Sequence, residues 1–136
     1  KLGKIYILIS DGECQEGTTW ESLLIGAKHN LDNLIVIVDY NKIQALSTLD
    51  DALPLDNLVA KFKAFNWSCL DISDGHSFEE LIPALKQEND EGKPLAIIVN
   101  TIKGKGIKAF ENDPAWHARK IKGEELKIGK RELGIL

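Results

Sequence analysis

Residues 4–21 read KIYILISDGECQEGTTWE, and the reading of this stretch decides the fold class. Lys4 to Ile9 is a short apolar run rich in β-formers that stops at Ser10, Asp11 and Gly12, which predicts a buried strand. Two glycines and three acidic side chains (Asp11, Glu13, Glu16) then fall within seven positions, Asp11 to Gly17. From Thr18, hydroxyl residues able to cap lead into a helical pattern in which Trp20, Leu23, Leu24 and Ala27 share one side.

Further along, Asn33 to Tyr40 (NLIVIVDY) is a second continuous apolar run, predicted to be a strand buried on both faces. A polar loop follows to about Asp56. Asn57 to Phe65 reads as a helix with Leu58, Phe62 and Phe65 together, and Trp67 to Ile72 as a shorter strand. Ser77 to Asp90 reads as a helix opened by a capping box, Ser77 with Glu80, and kinked at Pro83. Pro94 to Thr101 (PLAIIVNT) is a fourth strand, and a charged helix starts near Gly123. Strand and helix alternate, which predicts an α/β fold: a mostly parallel sheet with helices on both faces. Ligands of such sheets bind outside the carboxyl ends of the strands, so the loops after Ile9, Tyr40, Ile72 and Thr101 are the ones to inspect.

Composition is that of an ordinary globular domain: 136 residues, 43% hydrophobic, 28% charged, net charge −4. The densest basic patch is only KGKGIK, Lys103 to Lys108, so neither nucleic-acid nor membrane-surface binding is expected. No apolar stretch reaches membrane-spanning length and no signal peptide is visible. Cys14 and Cys69 are not in metal-type spacing, and a reducing, cytoplasmic setting is the expectation. The chain holds no methionine and begins almost at once with a strand, which raises the expectation of a fragment, incomplete on its N-terminal side.

Asp11 lies just past the first strand and Asn41 just past the second, about thirty positions on. If those strand ends are neighbours, a carboxylate and an amide oxygen converge, which suits a hard cation such as Mg²⁺ that takes oxygen ligands and leaves places for phosphate. Gly12 would let a bulky anion approach the backbone, and the helix after Gly17 adds a positive N-terminal dipole. The plain alternative is an Asp-Gly turn and an Asn cap, both common after strands.

The wording around the pair narrows these options. DGECQEGTTWE, NLIVIVDYNKIQ, LPLDNLVAKFKAFNWS, ISDGHSFEELIPAL, GKPLAIIVNTIKGKG and ENDPAWHARK together resemble the thiamine diphosphate binding region of transketolases, collinearly from about Lys4 to Leu126. The resemblance implies a partial diphosphate-binding domain over 1–136 and two-carbon ketol transfer between sugar phosphates, with thiamine diphosphate and Mg²⁺ (or another divalent cation such as Ca²⁺) as cofactors. It implies Asp11, Asn41 and the Ile43 carbonyl as metal ligands. Gly12, Glu13, Asn41 and Ile102 become cofactor contacts, Ile102 on the thiazolium ring. Glu16 becomes the acidic residue linking cofactor sites across a dimer interface, and His117 the histidine near diphosphate and sugar. A pyrimidine-binding domain or subunit of transketolase must then be supplied by a partner in a homo- or hetero-oligomer. The chain would be a piece of a full-length enzyme or the first subunit of a split one, and inactive alone.

Two departures from the pattern stand out. Ser10 replaces a usual glycine, and HARKIK after Trp116 lacks the usual glycine and proline, which puts the path of that loop and the place of His117 in question. A non-catalytic cofactor-binding or structural subunit is the alternative reading. Lys103 and Lys105 are chemically able to hold phosphate. Cys14, flanked by Glu13 and Glu16, is expected to be unreactive, Cys69 to lie in the core, His29 and His76 to be structural, and the three tryptophans to be packing residues.

Overall fold

The computed structural model describes residues 3–45, 47–89 and 92–135. The chain divides into two compact units, residues 1–40 with 55–101 and residues 41–54 with 102–136. The strands are β1 (Ile5–Ser10), β2 (Leu34–Tyr40), β3 (Ser68–Ile72) and β4 (Leu95–Asn100). The α-helices are α1 (Gly17–Lys28), α2 (Leu49–Ala52), α3 (Leu58–Ala64), α4 (Phe78–Lys86) and α5 (Glu124–Glu132).

The first unit holds the sheet, in the order β1-β2-β4-β3, with every pairing parallel. β4, an unbroken apolar run, is buried from Leu95 to Val99, as a strand covered on both faces must be. One face carries Ile35, Leu95, Ile97 and Val99 against Ala84, Leu81 and Leu85 of α4. On the other, α1 and α3 meet around an aromatic cluster: Trp20 stands 5.8 Å from Phe62 and 5.4 Å from Phe65, and Phe62 is edge-on to Trp67. The Trp67 indole N–H donates to the Leu23 carbonyl at 2.8 Å, fastening α1 to the sheet. Gly26 lets that helix come so close: a Cβ there would lie 2.8 Å from Trp67 Cζ2.

The expected alternation and two-sided cover are present, with four differences. β1 is not buried. It is an edge strand among the described residues, and Ile5, Tyr6, Ile7 and Leu8 are all exposed, Leu8 by 70%. Leu24 is 58% exposed, because α1 turns Leu23 and Gly26 inward instead. The Ser77–Glu80 box is not formed: Glu80 Oε2 reaches back past Ser77 to the Ser73 amide and hydroxyl and the Asp74 amide, tying the preceding loop. α4 runs unbroken through Pro83 but ends at Lys86, short of Asp90, which lies outside the described residues.

The second unit contains α2, inside the expected polar loop and capped by the Thr48 hydroxyl. It also contains 3₁₀ turns at Lys108–Phe110 and Pro114–His117, and α5, whose Gly129 packs on Ile107 and Phe110.

Candidate functional site

Parallel pairing of β1 with β2 continues one residue beyond the strand. The Asp11 amide donates to the Asp39 carbonyl at 3.3 Å, so the Asp11–Gly12 turn stands beside the end of β2, as the spacing required. Asp11 is 3% exposed, a buried polar residue. Its carbonyl accepts the Cys14 amide at 3.0 Å and opens a 3₁₀ turn, Gly12–Gln15. Gly12 does not have a positive φ, so what it contributes is the absence of a side chain rather than an unusual backbone.

This turn is held from both ends. Glu13 Oε2 accepts the Ser10 amide at 2.7 Å and the Ser10 hydroxyl at 2.9 Å. From α1, the Thr19 hydroxyl donates to the Glu13 carbonyl at 2.6 Å and the Trp20 indole to the Cys14 carbonyl at 2.9 Å. Glu16 is the exposed residue preceding α1, with the Thr18 hydroxyl 3.5 Å from its carboxylate. Cys14 is buried. Burial, then the charges of Asp11 and Glu13, outweigh Lys61 and push its thiol up to about 12. At neutral pH it stays a protonated thiol, the unreactive form. Behind the turn, the Thr101 hydroxyl donates to the Asp39 carboxylate at the carboxyl end of the sheet. A cavity of about 300 Å³ lies there, lined by apolar residues including Leu8, Ile37 and Val99 besides that pair.

In the second unit, the Asn41 side-chain oxygen accepts the Ile43 amide at 3.0 Å. Lys42 between them takes a left-handed φ of 65°, and Leu49 returns its amide to the Lys42 carbonyl at 2.9 Å. An amide oxygen has two lone pairs, and this bond, taking one of them, orients Asn41.

His117 ends the Pro114–His117 turn, which Asp113 caps by accepting the Ala115 amide. Trp116 stacks 4.0 Å from Phe110 beneath the Arg119 guanidinium. His117 itself is exposed, with Nδ1 3.2 Å from Lys103 Nζ. A lysine can only donate, so Nδ1 accepts and Nε2 carries the ring proton in this contact. Lys103 is placed by a tight return of the chain: its carbonyl accepts the Asn112 amide, and at Gly104 (φ +77°) a Cβ would lie 2.5 Å from the Phe110 carbonyl oxygen. Ile102 is half-buried just before it.

Each unit thus carries part of the anticipated set: Asp11, Gly12, Glu13 and Glu16 in the first, Asn41, Ile43, Ile102 and His117 in the second. Three features escaped the sequence reading: the Ser10–Glu13 tie, the Asp39–Thr101 pair and the partnership of Lys103 with His117. Of His29 and His76, the first closes α1 and the second donates its amide to Asp74; both are exposed. Cys69 is half-buried rather than core. Among the described residues no group of three His, Cys, Asp or Glu side chains is placed to hold a metal, and no helix is long and apolar enough to cross a membrane. The Asp11 carboxylate in the first unit, and the Asn41 side-chain oxygen and Ile43 carbonyl in the second, are each oxygen donors, the type a hard cation takes.

Comparison with known proteins gives one answer. The family described as transketolase, thiamine diphosphate binding domain, matches residues 3–136. An apulose-4-phosphate transketolase subunit of Actinobacillus succinogenes is 39% identical over 130 residues, covering 96% of this chain and 47% of that protein. A 6-deoxy-6-sulfo-D-fructose transketolase subunit of a Clostridium is 40% identical over 130 residues, covering 95% of this chain and 47% of that one. The chain therefore spans about half the length of these curated relatives. The crystal structure of transketolase from Campylobacter jejuni superposes with a TM-score of 0.88 at 34% identity, over 98% of this chain and 21% of that one.

Proposed function

This chain belongs to the transketolase thiamine diphosphate binding domain family, and from that premise we propose that it forms the diphosphate- and metal-holding part of a transketolase. The reaction is transfer of a two-carbon ketol unit from a ketose phosphate to an aldose phosphate. Thiamine diphosphate, when bound, supplies the carbanion chemistry of that transfer. The chain's own residues bind and orient it. The Asp11 carboxylate, the Asn41 amide oxygen and the Ile43 carbonyl hold Mg²⁺ or a similar divalent cation, and Gly12 admits the diphosphate to the backbone.

The observation that carries this reading is the β1–β2 register. It sets the Asp11 turn beside the end of β2, and Asn41 is joined by a peptide bond to Tyr40, the last residue of that strand. Lys103 by its charge and His117 by its Nε2 proton together form a donor pair suited to phosphate, sugar or diphosphate oxygens. That partnership supports a working site over a non-catalytic subunit, since it pairs His117 with a second side chain able to hold phosphate. Ile102 offers the apolar contact for the thiazolium ring, and Glu16 faces the cofactor site of a partner.

The partner is a pyrimidine-binding domain or subunit of transketolase, in a homo- or hetero-oligomer. Two features support it: the relatives named as subunits, and the exposed Leu24 and Ile25 on α1. The two free cysteines suit a reducing, cytoplasmic setting. The test is titration of thiamine diphosphate, with Mg²⁺ present, into the assembled enzyme. Asp11→Ala and Asn41→Ala each remove a direct ligand, and Asn41→Ala also frees the Ile43 amide, so each should weaken binding at least about tenfold. Unchanged affinity in both variants refutes the metal assignment.

A further inference from the structure

We infer that Glu13 is a positioning residue, not a cofactor contact: its carboxylate clamps the strand-to-turn junction so that the Asp11–Gly12 turn is pre-formed for metal and diphosphate. The inference rests on the function proposed above and adds a role for a residue whose carboxylate is turned back onto Ser10.

The geometry is specific. In β1 the odd-numbered amides serve β2, as Ile5 to Asn33 and Asp11 to Asp39 show. The amide of Ser10 therefore points the other way, to the side of β1 on which no strand pairs among the described residues. Glu13 Oε2 takes that amide at 2.7 Å and the Ser10 hydroxyl at 2.9 Å, and the Glu13 amide stands 3.3 Å from the same hydroxyl. The bonds close a four-residue loop around Asp11 and Gly12. At its far side the Glu13 carbonyl is fixed to α1 by Thr19. Glu13 is thus the residue through which β1 and α1 both grip the turn.

The charge argument agrees. A carboxylate facing a diphosphate would repel it. Here both donors converge on one carboxylate oxygen, holding the charge turned back toward β1 in charge-assisted hydrogen bonds, the stronger kind. Without the clamp the turn must be ordered when the ligand arrives, and that cost appears as lost affinity.

The experiment is calorimetric titration of thiamine diphosphate at fixed Mg²⁺ into the assembled apoenzyme, with far-UV circular dichroism of each apo variant as a check on folding. Glu13→Ala should weaken binding about tenfold, and Ser10→Ala, which keeps the amide donor, about threefold. The double variant should be no weaker than Glu13→Ala alone, because both changes break one clamp. Glu13→Gln, whose amide oxygen can accept the same two donors, should recover most of the affinity. Wild-type affinity in Glu13→Ala overturns the inference, as does strict additivity of the two alanine changes, which would mark Glu13 as a direct contact. Should Glu13→Ala fail to assemble, wild-type affinity in Ser10→Ala overturns it. Asp11→Ala serves as the control. If it too binds normally, the underlying metal site is wrong; if it loses binding while Glu13→Ala does not, only the clamp is wrong.

Discussion

The seat of α1 on the sheet is a contact that can be broken and remade. Gly26 is buried, and a Cβ built there lies 2.8 Å from Trp67 Cζ2 and 3.6 Å from Cε2. The indole cannot swing aside, since Trp67 is 3% exposed and its N–H is committed to the Leu23 carbonyl. Gly26→Ala gains about 1 kcal/mol of helix propensity, but overpacking a fixed ring costs about 1–3 kcal/mol. The net is a loss of about 1 kcal/mol. Trp67→Phe loses a buried hydrogen bond worth about 1 kcal/mol and leaves a void worth about 1 kcal/mol more. A phenyl ring does not reach the Cζ2 position, so in the double variant the new methyl enters the void and the propensity gain returns. The coupling should be about 2 kcal/mol in favour of the double variant, which then equals or exceeds Trp67→Phe alone. For a chain this size the Trp67→Phe loss should lower Tm by about 5–8 °C. Urea unfolding of the four proteins, followed by far-UV circular dichroism, measures the cycle. A coupling below about 0.5 kcal/mol would mean that α1 is not seated on Trp67 as described.

Burial, opposed by Lys63 and helped by Asp71, raises the Cys69 thiol from 9.0 to about 11. At pH 8 its alkylation in the native protein should therefore run about 100-fold slower than in urea; equal rates, read by mass spectrometry, refute the shift. The same thiol ionises first in the unfolded chain, so stability should fall as pH rises from about 9 toward 11; Cys69→Ser should lessen that loss and leave the part due to Cys14, whose thiol is raised further. Leu24→Lys with Ile25→Lys on exposed α1 should weaken association with the partner subunit without lowering Tm of the chain; light scattering and a melt decide, and unchanged association places the partner elsewhere. The chain alone should show no ketol transfer in a ketose-phosphate assay until a pyrimidine-binding subunit is added, and robust turnover without it contradicts the proposed division of the site.

The sheet was legible because β2 and β4 are continuous apolar runs, and such runs have few other places to go in an alternating chain. What β1 meets was not legible from the same signal. Ile5 to Ile9 has the composition of a buried strand on both faces, but burial depends on what stands next to a strand, and periodicity says nothing of neighbours. Leu24 failed for a different reason. A helix face about 100° wide is blurred by one position when Gly26 is the residue that makes closest contact, because hydrophobicity does not flag a glycine as core. Ser77 and Glu80 had the spacing of a reciprocal cap, but Glu80 found three donors at Ser73 and Asp74 and took those.

The site divides the same way. That the Asp11 turn stands beside the end of β2 was readable because strand ends fix where a chain emerges, and two neighbouring parallel strands emerge on the same side. The partners of exposed side chains were not. Whether Glu13 turns toward a ligand or back onto Ser10 depends on an amide that the β1–β2 ladder does not use, and that follows only once the parity of the ladder is known. Lys103 meets His117 across 14 positions because the chain doubles back at Gly104, where the left-handed φ and the 2.5 Å approach to the Phe110 carbonyl exclude a side chain. The sequence KGKG announces a loop but not its direction. If the return is what sets the pair, Gly104→Ala should release Lys103 from His117 and weaken anion binding as much as Lys103→Ala does, although alanine removes no charge. Titration of inorganic pyrophosphate against the assembled enzyme reads both variants, and full affinity in Gly104→Ala would show that the loop does not position the lysine.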